Sequence, residues 1–73
     1  MKEISGEEVK KIISIVETNY RGCDIDFYFH LSNRSLYISI YDGKDRKRSV
    51  IRTLLDFMKF LDSPMHSDKI ETY

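Results

Sequence analysis

At 73 residues the chain is one small domain, and a chain of this length buries only about 60% of the surface it exposes when unfolded. Twelve basic residues balance twelve acidic ones, so net charge singles out no class of partner. One cysteine excludes a disulfide framework, Cys23, His30 and His66 have no zinc-ligand spacing, and no apolar run is long enough to span a bilayer. No metal or cofactor is expected. The lone thiol and the lack of any signal-like segment point to the cytoplasm. The chain has no Ala and no Gln but nine Ile, seven Lys and five Tyr, a codon usage that suits an AT-rich bacterial or phage genome.

The first element is a helix over about 6–20. Ser5 and Glu8 form an S-x-x-E capping box, in which each side chain satisfies a free backbone N–H at the helix start. Glu7 and Glu8 complement the positive end of the helix dipole. Val9, Ile12, Ile13, Val16 and Tyr20 recur at helical spacing, and Gly22 stops the run.

Residues 24–32 and 35–41 alternate apolar and polar side chains and read as a hairpin. Pairing across Asn33-Arg34 sets Leu31 opposite Leu36, Phe29 opposite Ile38 and Phe27 opposite Ile40. His30 then faces Tyr37, and Tyr28 faces Ser39. A four-residue loop over Ser32 to Ser35 keeps the same register. Arg is a poor type I′ turn residue, because that turn needs positive φ.

Asp42 to Asp45 form a turn. Val50, Ile51, Leu54, Leu55, Phe57, Met58 and Leu61 then spread over a broad helical face, so a second helix is placed at about 48–62, capped by Ser49 and ended by Pro64. A rival reading makes 46–50 a third strand. It places Lys47 opposite Ile40 on the apolar side of the sheet, and the helix is preferred for that reason.

These pieces predict an α+β fold in the order α-β-β-α, with two helices on one face of a small antiparallel hairpin sheet. The single domain covers 1–63, and 64–73 form a tail without periodicity. Two strands make a weak sheet with open edges, so a homodimer joined edge to edge into four strands is expected.

Three sets of side chains are candidates for function. Asp24 and Asp26 share a strand face but read as solvated acids, His30 lacks a nucleophile or acid partner, and Cys23 follows a helix C-terminus that raises a thiol pKa. No catalytic residue is assigned, and enzyme activity is not expected. Lys44, Arg46, Lys47, Arg48 and Arg52 form a basic segment suited to an anion or nucleic acid. Tyr28, His30, Tyr37 and Tyr41 form the outer face of the hairpin, where rigid amphipathic rings suit a protein contact. The residues therefore favour a small non-enzymatic binding or regulatory protein, of the type found as accessory or inhibitory proteins of bacterial operons and prophages. The alternative is a nucleic-acid-binding module that stacks bases on the tyrosines and holds phosphate with the basic segment.

Overall fold

The computed structural model describes residues 3–67. Helix α1 (Gly6–Asn19) is followed by strands β1 (Asp24–His30), β2 (Ser35–Asp42) and β3 (Asp45–Ile51), helix α2 (Leu54–Asp62) and a two-residue strand β4 (His66–Ser67). The fold is α+β. One antiparallel sheet runs in the order β1-β2-β3-β4. The part of the predicted tail beyond Ser67 lies outside the described residues. No helix among those described is long and apolar enough to cross a membrane.

The start of α1 follows from its sequence. Ser5 N donates to Glu8 Oε1 at 2.8 Å and Glu8 N donates to Ser5 Oγ at 3.2 Å, which closes the capping box. Ile4 and Val9, on either side of that cap, are both buried, as a hydrophobic staple requires. Val9, Ile12 and Val16 turn the apolar stripe of the helix into the core. There they meet Leu36, Ile38, Ile40 and Ile51 from the sheet and Phe57 and Phe60 from α2. Burial of each such side chain contributes about 1.5–3 kcal/mol relative to exposure. Both helices therefore cover one side of the sheet, and no described element covers the other.

The hairpin keeps the expected faces but not the expected partners. Phe29 pairs with Leu36, Phe27 with Ile38 and Ile25 with Ile40, a shift of two residues. The loop is Leu31 to Arg34, and Leu31 lies in it, 77% exposed. Because side chains alternate with a period of two, a two-residue shift preserves the inside–outside assignment of every residue that stays in a strand, so alternation alone cannot distinguish the two registers. Arg34 sits at φ 52, in the left-handed region, as the turn demands.

The second helix is shorter than the spacing predicted. Residues 45–51 pair with β2 through the two-residue turn at Gly43-Lys44, and Ile40 does face Lys47. The cap of α2 is Thr53, not Ser49: Asp56 N donates to Thr53 Oγ1 at 3.2 Å, and Thr53 N donates to Asp56 Oδ2 at 3.2 Å. Leu54, Leu55 and Met58, which the long-helix reading assigns to the apolar face, are exposed.

A third strand puts a cation on the apolar side of the sheet, and that cation is buried there. Lys47 is only 6% exposed. Its Nζ donates to Phe60 O at 2.8 Å and Ser63 O at 2.7 Å, at the C-terminal end of α2. The ammonium also lies 4.6 Å from the Phe60 ring centre and 5.0 Å from that of Tyr20. A lysine in the sheet thus caps the C-terminus of a helix, where the dipole favours positive charge.

Candidate functional site

The helix-free face of the sheet holds the alternate residues of each strand. Register arranges them in rows: Asp24, Tyr41 and Arg46; Asp26, Ser39 and Arg48; Tyr28, Tyr37 and Val50. Each of the first two rows runs from an acid on β1 to a base on β3. The four aromatic residues singled out above all lie on this face. Tyr28 is 61% exposed, His30 is exposed, and Tyr37 and Tyr41 are half-buried.

His30 does not face Tyr37. It pairs with Ser35, while Tyr28 pairs with Tyr37 rather than Ser39. The His30 ring instead meets Tyr28 of its own strand edge-on, with centroids 4.5 Å apart and planes at 78°. That geometry suits the quadrupoles of two rings.

Arg48 organises the centre. It projects opposite Ser39, between Tyr37 and Tyr41 on the neighbouring strand. Hydrogen bonding to the Tyr37 side chain is the largest influence raising the guanidinium above its ordinary value, and Tyr41 adds to it. Ser39 beneath is buried, although it belongs to the uncovered face, and its Oγ finds no hydrogen-bond partner. Tyr37 and Tyr41 flank Ser39 along β2 and Arg48 lies opposite it, so three long side chains surround the small one in the register.

The basic segment does not stay together. Lys44 lies in the β2–β3 turn and Arg52 in the link to α2, both exposed, whereas Arg46 and Arg48 face outward from β3. Lys47 points the other way and is committed to the carbonyls of Phe60 and Ser63 at the end of α2. The alternation of strand β3 separates it from its neighbours, a consequence invisible when the segment is taken as the start of a helix.

Cys23 is half-buried after α1, and its N–H donates to Tyr20 O at 3.1 Å. Loss of water raises its thiol pKa most, and the carboxylates of Asp42 and Asp24 raise it further. Such a thiol is a poor nucleophile. Among the described residues no group of three His, Cys, Asp or Glu side chains is placed to hold a metal ion.

One concave feature lies beside the face. A groove of about 350 Å³ runs between β3 and α2, its lining including Lys47, Arg48, Ser49, Val50, Lys59 and His66. It reaches the edge of the tyrosine face through Arg48 and Val50, two residues absent from the aromatic set that sequence alternation identifies. Treating Arg46 to Ile51 as a strand would have found Val50, because it falls in the row of Tyr28 and Tyr37. Comparison with family models, with curated proteins and with solved structures finds no match to this chain.

Proposed function

We propose that the chain is a small non-enzymatic binding or regulatory protein that associates with itself and engages a protein partner through the helix-free face of its sheet. The observation that carries this reading is the transverse order of that face. Acids (Asp24, Asp26) stand on β1, tyrosines (Tyr37, Tyr41) on β2, and bases (Arg46, Arg48) on β3. A phosphate backbone is uniformly negative, so it gains at β3 and is repelled at β1. A protein surface carries both signs and can match the whole order. Tyr28, Tyr37, Tyr41 and Arg48 are also the residue types that anchor protein interfaces, where a rigid ring loses little entropy on contact. The nucleic-acid alternative loses Lys47 from its set of cations.

The test is affinity capture from cell extract with the wild-type chain and with a Tyr28→Ser/Tyr41→Ser variant. Specific partners recovered by the first and lost by the second are expected. Equal recovery by both removes the tyrosine face as the contact. A titration with single-stranded oligonucleotides separates the classes: tight binding that collapses between low and moderate salt, and weakens with Arg46→Ala or Arg48→Ala, replaces the protein reading with the nucleic-acid one.

A further inference from the structure

We infer that two copies of this chain join β1 to β1 across a twofold axis, in the register that sets Phe27 opposite Phe27 of the second copy. Three observations lead there. First, the two edges of the sheet differ. On the β3 side, β4 pairs with Asp45 and Arg46, and α2 borders the groove along the remainder. Among the described residues nothing pairs with the outer side of β1 along its seven residues. An unpaired strand of that length leaves backbone donors and acceptors that another strand can satisfy.

Second, the core stops short at this edge. Leu36, Ile38 and Ile40 on β2 are 0–1% exposed, yet their β1 partners Phe29, Phe27 and Ile25, on the same side of the sheet, are only half-buried. A second copy would continue the apolar layer past the edge.

Third, the strand is complementary to itself. Phe27 is the midpoint of Asp24–His30. Antiparallel pairing about that midpoint sets Asp24 opposite His30, Ile25 opposite Phe29 and Asp26 opposite Tyr28 of the second copy. Apolar residues meet apolar ones on the helix side, while each carboxylate meets a side chain able to donate a hydrogen bond. A two-residue shift one way sets Asp26 against Asp26, a like-charge contact. The same shift the other way leaves Asp24 and Ile25 overhanging. Odd shifts set inner residues against outer ones.

The product is one continuous sheet in the order β4-β3-β2-β1-β1-β2-β3-β4, with all four helices on one side. The two tyrosine faces become one platform, acidic along its middle and basic on both flanks. This inference rests on the self-association part of the reading above and is independent of what the tyrosines contact.

Cysteine crosslinking reads the register. In a Cys23→Ser background, Phe27→Cys puts two thiols directly opposite one another, where antiparallel Cα separations of about 4.5–5.5 Å lie within disulfide range. Mild oxidation is expected to give a species of twice the chain mass that reductant reverses. Asp24→Cys/His30→Cys, at two exposed positions, probes the same register should Phe27→Cys fail to fold. Those two sites lie roughly 20 Å apart along one strand, so any disulfide between them joins two chains. Light scattering of the wild-type chain across concentration completes the test. A doubled mass with neither variant crosslinking overturns the β1 register while self-association stands. A single-chain mass at every concentration overturns both, and capture by the tyrosine face is still scored on its own.

Discussion

The ammonium of Lys47 donates to the backbone carbonyl of Phe60 at 2.8 Å, so the third strand of the sheet ends the second helix. The bond to Ser63 O, at 2.7 Å, makes the attachment two-pronged. A charged donor on a buried carbonyl contributes about 1.5–3 kcal/mol, more than a neutral bond. Lys47→Ala loses both bonds and the packing of the stem, and is expected to lower unfolding stability by about 2–4 kcal/mol. Lys47→Met keeps most of the stem and should lose less, since Phe60 O retains the Ser63 N–H and Oγ donors. Urea denaturation of both variants checks the order.

The other end of α2 is sensitive to acid. Arg52 N donates to Asp56 Oδ2 at 2.9 Å, and this backbone bond is the first cause holding the Asp56 carboxyl below its usual 3.8, with Thr53 and Lys59 adding to it. A carboxyl depressed in the folded state stabilises fully above its unfolded value and loses that contribution as pH falls through the folded one. The gap in stability between wild type and Asp56→Asn is therefore expected to be widest above about pH 4 and to close on acidification below it. Thermal melts in steps of pH measure it. Thr53→Ala, which removes the partner cap, should cost about 1 kcal/mol at neutral pH.

Ser39→Ala is expected to be neutral or stabilising by up to about 1 kcal/mol. The Ser39 Oγ is buried without a partner, and a stranded polar group costs about 1–3 kcal/mol that a methyl does not. A clear loss of stability in chemical denaturation would show that the hydroxyl is satisfied in solution.

Arg34→Asn should raise the melting temperature. The left-handed conformation at φ 52 costs an ordinary residue about 1–2 kcal/mol, and Asn bears it more easily. Against that gain stand a 3.4 Å bond from Arg34 Nη2 to Ile4 O and an exposed contact to Glu3 at 3.9 Å. The bond to Ile4 O is longer than an ordinary N–H···O bond and exposed ion pairs contribute about 0–1 kcal/mol, so relief of strain wins.

The two sides of the sheet should respond unequally to truncation. Ile38→Ala, on the buried side, is expected to cost about 2–5 kcal/mol. Tyr28→Ser, on the bare side, should cost under about 1 kcal/mol, the scale of one cross-strand pair. Parallel denaturant titrations give the ratio.

Local chemistry made some of this legible in the sequence and left some hidden. The Ser5–Glu8 box and the Val9, Ile12, Val16 stripe placed α1, because capping and helical spacing act within a few residues. Alternation gave the faces of β1 and β2 but not their register, since a slip of two leaves the pattern unchanged. The β3 segment was hidden by Lys47. A cation among apolar neighbours argues against a strand until its ammonium has somewhere to go, and the carbonyls it reaches are 13 and 16 residues further along the chain. A signal did exist, in the Thr53–Asp56 capping pair that starts α2 after the strand rather than within it. The tyrosine face was visible as composition, while the place of Arg48 opposite Ser39 depended on β3 being beside β2.

With all of its helical cover on one side, the sheet leaves its opposite surface outside the folding problem. Exposed positions such as Tyr28 and Val50 can change identity at a cost under about 1 kcal/mol, so mutation can rewrite what this surface fits while the scaffold beneath stays as it is. A domain of this size has little stability to spare, and segregating the two tasks gives it room to diverge.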